Sequence, residues 1–306
     1  MPKTELIDVH THIFPTEEIS NRFLAGLGYP AARTGTVEGV LATMRQVGIS
    51  RTVMLLYMNI RTLLDRDVAA LPADLSPAQR QARAEEVRCQ RVGKLSANNT
   101  WGCQAAREHS ELVAFVGIDA AAMTEAEIRA EIAKGVQDGA RGVKIVPAAM
   151  AMYANDPRLW PAYEECERRG LPLLAQSGNA GMTAPYVEPW GRPSYWGGVL
   201  AQFPRLKVIL AHMGIGFEED VAQLTRRFPN LHTDISHRLH VVDREGLTSE
   251  AMVGWVRRIG VERVLFGTNF PMNDPAEYVR VFHALPLTDA EREAIASGNA
   301  RRVLGV

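Results

Sequence analysis

Cysteine is scarce in this chain, and its three copies are scattered. Cys89, Cys103 and Cys166 stand far apart among the 306 residues, and no pair has the short spacing of a zinc-binding cysteine motif. A disulfide framework usually uses a larger, even number of cysteines. The sequence therefore argues against both a disulfide scaffold and a cysteine-zinc site.

Long apolar runs and an excess of one charge are also missing. The formal net charge is -1, which gives no electrostatic reason to expect nucleic acid or an anionic membrane as a partner. No stretch approaches the roughly 18 apolar residues of a membrane span, and Met1-Pro2-Lys3-Thr4-Glu5 lacks the apolar core of a signal peptide. The hydrophobic fraction of 46% is that of an ordinary globular protein. We expect a cytoplasmic location.

What the chain does have is a regular alternation of short apolar runs and helical segments. Eight compact runs read as strands that are covered on both faces, and segments of helical period such as 125–138 and 156–169 lie between them. Eight strand-helix units predict an α/β protein of the (β/α)8 TIM-barrel type, formed as one domain by residues 1–306. The predicted strands are 6–12, 52–57, 112–119, 142–147, 173–176, 208–212, 231–236 and 264–269.

Two connections are longer than a barrel needs. Residues 61–99 predict an insertion after strand two that covers the barrel mouth or forms a homodimer contact, with a capped helix start at Ser76-Pro77. Residues 181–198 are rich in proline and aromatic side chains and follow strand five. These aromatic residues, Trp190 among them, could wall a pocket for a flat substrate or simply stiffen a long loop.

Polar residues stand at or near the ends of the predicted strands, where a barrel collects its functional groups. Alternate residues of a strand share a side, so His10 and His12 both face the interior and could grip one ion. A lone His-x-His pair is weak evidence, because core histidines bonded to backbone carbonyls are common, but its place on the first of eight strands, after an aspartate, favours an active-site position. Lys144 is unusual in a buried strand, because an unpaired buried ammonium group is unfavourable. We expect it to bind a substrate carboxylate, to shuttle a proton, or to pair with Asp119 or Asp234.

The motifs at these strand ends resemble the amidohydrolase superfamily, in particular the branch that includes aminocarboxymuconate semialdehyde decarboxylase. They are Asp8-Val9-His10-Thr11-His12, Leu210-Ala211-His212-Met213-Gly214 and Leu265-Phe266-Gly267-Thr268-Asn269-Phe270-Pro271, together with Lys144 and Gln176. The resemblance implies a metal site at the barrel mouth. Relatives of this type decarboxylate aromatic or muconate acids or hydrolyse lactones, so the resemblance implies an activity of one of these kinds. It also implies a histidine at position 176 and a proton-accepting aspartate at position 269.

This chain departs from that pattern at both positions. Gln176 and Asn269 are amides, which bind zinc less well than imidazole or carboxylate. An amide also has no useful basicity, so Asn269 cannot accept a proton from water. We therefore expect no cofactor, with zinc or manganese held by His10, His12 and His212 as the alternative.

The sequence thus predicts an enzyme that acts on a small aromatic or lactone-like carboxylic acid by metal-independent hydrolysis or decarboxylation. The alternatives are a metal-dependent enzyme with altered ligands and a ligand-binding protein without catalysis. Arg61, Arg192 and Arg238 are candidate carboxylate clamps on loops. The predicted catalytic residues are His10, His12, Lys144, His212 and Asp234, and the predicted substrate-binding residues are Tyr57, Gln176, Asn269, Arg192 and Trp190.

Overall fold

The computed structural model describes residues 5–179, 190–244 and 246–306. Within them, eight strands form one parallel sheet in the order β1 to β8. The predicted TIM barrel is therefore confirmed, although most strands are shorter than the apolar runs suggested. The strands are β1 Leu6–Thr11, β2 Ile49–Leu56, β3 Leu112–Gly117, β4 Gly142–Ile145, β5 Leu173–Ala175, β6 Val208–Leu210, β7 Leu231–Asp234 and β8 Val264–Leu265.

Helices surround the sheet, and most begin at a side chain that caps the first free backbone N–H groups. Thr36, Thr124 and Thr248 each accept such a hydrogen bond. The α-helices are α1 Glu17–Gly26, α2 Val37–Val47, α3 Ile60–Ala69, α4 Pro77–Glu108, α5 Glu125–Gln137, α6 Trp160–Arg169, α7 Trp196–Gln202, α8 Glu218–Arg227, α9 Ser249–Ile259, α10 Pro275–Ala284, α11 Asp289–Glu293 and α12 Asn299–Leu304. None of the helices in the described ranges has the length and apolar character that crossing a bilayer requires.

The barrel is closed by backbone hydrogen bonds between β1 and the segment that contains and follows β8. Val9 N–H donates to the Phe266 carbonyl at 2.9 Å, Asn269 N–H to the His10 carbonyl at 2.9 Å, and His12 N–H to the Phe270 carbonyl at 2.7 Å. These bonds bring the ends of the first and last strands together at the barrel mouth.

Strand β1 carries one extra residue relative to β2 just where the histidines begin. Asp8 is opposite Thr52 and Thr11 is opposite Met54, so three steps along β1 match two along β2. Such a bulge changes which side of a strand the following residues face. As a result Val9 packs in the apolar barrel interior, and the adjacent His10 can still reach the polar groups of β7.

The inside of the barrel is filled rather than hollow. Buried apolar side chains from alternate strand positions form one interior cluster, and Ala300, Val303 and Leu304 of α12 pack against it. The interior apolar residues from the strands are Ile7, Val9, Val53, Leu55, Val113, Phe115, Leu174, Ile209 and Leu265, with Ala211 directly after β6. A second, larger apolar core lies between the outer side of the sheet and the helices.

The long segment after β2 forms helix α3 and the first turns of the 32-residue helix α4. Helix α4 begins at Pro77, and Ser76 and Gln79 form the predicted capping box. Because α4 continues to Glu108, the insertion and the ordinary connecting helix are one element. The homodimer contact that we expected from this segment stays a prediction.

Candidate active site

Three histidines gather at the barrel mouth. The ring centroid of His10 lies 5.4 Å from that of His12 and 4.7 Å from that of His212. His10 and His12 come from β1 and the residue after it, and His212 lies in a short turn after β6 with a backbone φ of 63°. His10 and His212 are buried and His12 is half-buried. The structure therefore brings together the three histidines that the sequence placed in one site.

Asp234, at the end of β7, connects two of these histidines. Its Oδ2 accepts a hydrogen bond from His10 Nδ1 at 3.0 Å, and its Oδ1 accepts from the backbone N–H groups of His212 and Ser236, each at 3.0 Å. The Ser236 hydroxyl also donates to Oδ1. Asp234 is thus a buried carboxylate that contacts His10, His212 and Ser236, and its predicted role as a general base stays a prediction.

These contacts fix which nitrogen of each ring carries a proton. A carboxylate only accepts, so His10 Nδ1 is the donor towards Asp234. The carbonyl oxygen of Ser236 lies 2.9 Å from His212 Nδ1 and likewise only accepts. Each ring therefore keeps its Nε2 lone pair available, which is the arrangement of a metal-ligating histidine held by a carboxylate or a carbonyl.

Charge and burial keep the imidazoles neutral. Burial is the main reason that the pKa values of His10, His12 and His212 lie well below their ordinary value. The nearby Lys144 ammonium lowers all three further, and a hydrogen bond with Asn269 partly offsets the effect on the pKa of His12. Neutral imidazole is the form that binds a metal ion or accepts a proton.

Lys144 lies at β4, 1% exposed, beside this cluster. Burial lowers its pKa to about 7, and Asp234 opposes that shift. Asp119, one of its two expected partners, instead accepts hydrogen bonds from the backbone N–H groups of Ile60 and Arg61 at the start of α3. No salt bridge joins Lys144 to Asp119 or Asp234 within the described ranges, so the pairing that we considered is not formed.

The predicted substrate-binding residues do not share one environment. Gln176 and Asn269 are buried at the ends of β5 and β8, and Tyr57 is half-buried after β2. Trp190 is half-buried, whereas the other residues of the aromatic loop up to position 189 lie outside the described residues. Arg192 is exposed and pairs with Asp220 at 2.9 Å. Its role as a carboxylate clamp stays a prediction.

The two other arginines proposed as clamps also have carboxylate partners within the chain. Arg61 lies 3.6 Å from Asp65, and Arg238 lies 2.9 Å from Glu218. Arg238 is buried and Glu218 is half-buried, and the role of both arginines as carboxylate clamps stays a prediction.

Sequence reasoning did not single out several residues that shape the site. Asp8 accepts hydrogen bonds from the backbone N–H groups of His10 and Thr268 and from the Thr268 hydroxyl, which ties β1 to the end of β8. Gly267 allows the residues after β8 to approach β1 and β7, because a Cβ at this position would lie only 3.1 Å from the Cβ atoms of His10 and Ser236. Phe23 of α1 lies 5.4 Å from the ring of His12. The Asp-x-His-x-His spacing could have indicated Asp8, but nothing in the helical pattern of α1 distinguishes Phe23.

Taken together, the fold and the site define an α/β-barrel enzyme with a polar cluster of metal-binding type at the strand ends. The model of the amidohydrolase family matches residues 7–306, and the chain belongs to this family.

Among known proteins, the chain is 25% identical over 234 residues to 2-amino-3-carboxymuconate-6-semialdehyde decarboxylase of Dictyostelium discoideum. The match covers 63% of this chain and 61% of that relative. Two solved structures share the fold. Dihydroxybenzoic acid decarboxylase from Polaromonas sp. JS666, with bound manganese and the inhibitor 2-nitroresorcinol, has a TM-score of 0.70 and 16% identity over 99% of this chain and 97% of that one.

The second is 5-carboxyvanillate decarboxylase from Novosphingobium aromaticivorans DSM 12444 with manganese, at a TM-score of 0.65 and 14% identity over 98% of this chain and 96% of that one.

The expectation that this chain has no cofactor is wrong. His10, His212 and Asp234 place three ligand atoms within 4.8 Å of one another, and all three residues are buried. The Nδ1 hydrogen bonds of His10 and His212 leave the Nε2 atom of each ring available to a metal ion. The two solved structures described above hold manganese. The prediction weighed the amides of Gln176 and Asn269 against metal binding and assigned Asp234 to acid-base catalysis instead of to a metal ion. The carboxylate that the sequence seemed to lose at β8 is present at β7.

Proposed function

We propose that this protein is a metal-dependent decarboxylase of small aromatic carboxylic acids. The observation that carries the proposal is the buried group of His10, His212 and Asp234 next to Lys144, which forms no salt bridge with the residues that the structure describes. Support for the class of substrate comes from the decarboxylases that share the family or the fold. Manganese is the ion that we assign, because both solved neighbours named above contain it.

The residues that would hold the ion are His10, His212 and Asp234, with His12 beside them. When bound, the ion supplies positive charge that polarises oxygen atoms of the substrate. Asp234 also fixes the His10 ring through its Nδ1 and the His212 backbone through its N–H group. Ser236 in turn holds the His212 ring, so the imidazoles are oriented before substrate arrives.

Lys144 has the properties needed to receive the carboxylate of the substrate. Its ammonium group is buried, and an anion would replace the solvation that it loses. With a pKa of about 7 it is also balanced between its charged and neutral forms near neutral pH. A group in that condition exchanges protons efficiently.

Decarboxylation requires one proton at the ring carbon that carries the carboxylate. We assign this proton to Lys144 Nζ: the ring carbon gains the N–H proton, the carbon–carbon bond to the carboxylate breaks, its electron pair returns to the ring, and CO₂ leaves. Lys144 is then neutral and takes a proton from solvent. Asn269 favours this chemistry over hydrolysis, because its amide cannot accept a proton from an attacking water molecule.

The test is CO₂ release from 2,6-dihydroxybenzoate and 5-carboxyvanillate by protein first freed of metal and then loaded with manganese. We expect CO₂ and the decarboxylated phenol from the loaded protein, and loss of both products after chelation. Lys144→Met should abolish release, and Lys94→Met, which removes an exposed lysine of α4, should not. Full activity of the chelated protein, or opening of an aromatic lactone without CO₂ release, would contradict the proposal.

A further inference from the structure

One histidine beside the cluster has no part in the chemistry described so far. His237 follows Ser236 directly, in the loop after β7. Its ring centroid lies 5.8 Å from that of His212, with the two planes at 67°, and 4.5 Å from that of His240. It therefore lies at the edge of the same barrel mouth, next to the group of His10, His212 and Asp234.

His237 has two features that are unfavourable for the folded state. Its Nδ1 atom is buried and has no hydrogen-bond partner among the described residues. An unmade bond of this kind costs roughly 1–3 kcal/mol. Its backbone also has a φ of 56°, in the left-handed region that side chains other than glycine avoid. Two such features in one residue at an active-site mouth indicate a functional constraint.

The surroundings hold the ring in place without satisfying its nitrogen. His240 Nδ1 lies 3.0 Å from the hydroxyl of Tyr278, which is fully buried on α10. On the other side the His212 ring is fixed by Ser236. The His237 ring thus lies beside two imidazoles that are hydrogen-bonded elsewhere, and its own Nδ1 has no partner among the described residues.

The chemistry of the ring nitrogen narrows the kind of group that His237 can bind. A hydroxyl group can donate a hydrogen bond to an imidazole nitrogen or accept one from it, so it matches Nδ1 in either tautomer. A carboxylate only accepts, and the proposed function gives that group to Lys144.

We infer that His237 Nδ1 hydrogen-bonds a hydroxyl group on the aromatic ring of the substrate and so selects hydroxylated acids over unsubstituted ones. This inference rests on the proposed function, because it assumes an aromatic acid at the barrel mouth. It assigns a specificity residue from the β7 loop and not a group that takes part in proton transfer.

The test compares two ligands that cannot lose CO₂ and differ only in ring hydroxyl groups, 2-nitroresorcinol and nitrobenzene. Their dissociation constants are measured by calorimetry on manganese-loaded wild type, His237→Gly and His237→Asn. We expect wild type to prefer 2-nitroresorcinol, and the preference to fall roughly three- to tenfold in His237→Gly, the usual effect of one hydrogen bond. His237→Asn should keep most of it, because asparagine tolerates positive φ and places an amide near the position of Nδ1.

A thermal melt separates recognition from folding. His237→Gly should melt no lower than wild type, since glycine accepts the backbone conformation and removes the unbonded nitrogen. Ala151→Gly relieves a φ of 53° at another position and is the control for the backbone effect.

An unchanged preference for 2-nitroresorcinol in His237→Gly, or an equal loss of affinity for both ligands, overturns the assignment of His237 and leaves the decarboxylase proposal standing. If wild type binds neither ligand and releases no CO₂ from hydroxybenzoates, both proposals fail together.

Discussion

At the scale of single residues, Lys144 is a buried charge that is unfavourable for the folded state. Within the described part of the chain Lys144 forms no salt bridge, and an unpaired buried ammonium group destabilises the fold. Its pKa of about 7, against an ordinary value of 10.5, expresses that penalty. The unfolded chain therefore binds more protons than the folded one between about pH 7 and pH 10.5. Stability from this group rises with pH across that window, and its penalty is complete below it.

Replacing Lys144 by methionine should stabilise the protein and inactivate it. The side chain keeps its length and loses its charge, so we expect a gain of a few kcal/mol in the free energy of unfolding near pH 7, shrinking towards zero by pH 10.5. Chemical denaturation at several pH values measures the gain, and CO₂ release measures the loss. A variant that is less stable than wild type at pH 7 would show that Lys144 has a stabilising partner.

The amide at position 269 allows a second experiment on one residue. Asn269 has a φ of 62°, a conformation that aspartate also tolerates, and its side chain bonds to His12. Asn269→Asp adds a carboxylate beside the imidazoles, so the affinity for manganese should rise at least about tenfold. Titration calorimetry with the metal measures it.

A matched variant controls for added charge near the site. Asn273 is a buried asparagine of the same loop that donates to the Thr268 carbonyl. Asn273→Asp should not increase manganese affinity. An equal affinity in Asn269→Asp and wild type would mean that the end of β8 takes no part in holding the ion.

At the scale of elements, the location of each strand was predicted reliably and its length was not. The apolar runs located all eight strands, because burial on both faces demands continuous apolar character. The runs extended past the last ladder bonds, so His212 and Asn269 lie in turns with positive φ rather than in strands. Neither a bulge in β1 nor the left-handed turn at His212 has a composition signal, and both determine where the histidines point.

The same limit explains the error about metal. Motif positions predicted which side chains reach the mouth, but not that Asp234 would bond to His10. That contact joins residues 224 positions apart. It depends on barrel closure, which places β1 next to β8 and two strands from β7, and local patterns do not encode that closure.

Helix α3 depends on an acidic side chain from another element. Asp119, just after β3, accepts hydrogen bonds from Ile60 N–H at 3.1 Å and Arg61 N–H at 3.3 Å. A carboxylate at this position satisfies free amides and interacts favourably with the positive end of the helix. Asp119→Ala should therefore cost about 1–2 kcal/mol, concentrated in residues 60–69. Hydrogen exchange should show faster exchange across α3 and little change in α5. Ser76→Ala, which removes an exposed cap of α4, is the control. Faster hydrogen exchange spread evenly over the chain in Asp119→Ala would contradict a local role for Asp119.

At the scale of the whole molecule, the two ends of the barrel have separate tasks. The mouth holds the polar cluster, while the interior is sealed by apolar side chains from the strands and by α12. Side-chain volume must be maintained at the sealed end, because protein interiors pack closely and lose stability when a cavity opens. The chemistry at the mouth should then be insensitive to moderate changes at the seal.

Leu304, 6% exposed at the end of α12, tests this division. Leu304→Ala removes apolar contact with the interior cluster, and we expect the free energy of unfolding to fall by roughly 2–4 kcal/mol. Manganese affinity and CO₂ release should remain at wild-type values under conditions where the variant is folded. Leu27→Ala, at a leucine that is 38% exposed, should change the unfolding free energy by less than about 0.5 kcal/mol. Denaturant titration measures the free energy of unfolding, and titration with manganese measures metal affinity. A folded Leu304→Ala protein that binds manganese weakly would contradict this division, because packing at α12 would then affect the histidine cluster.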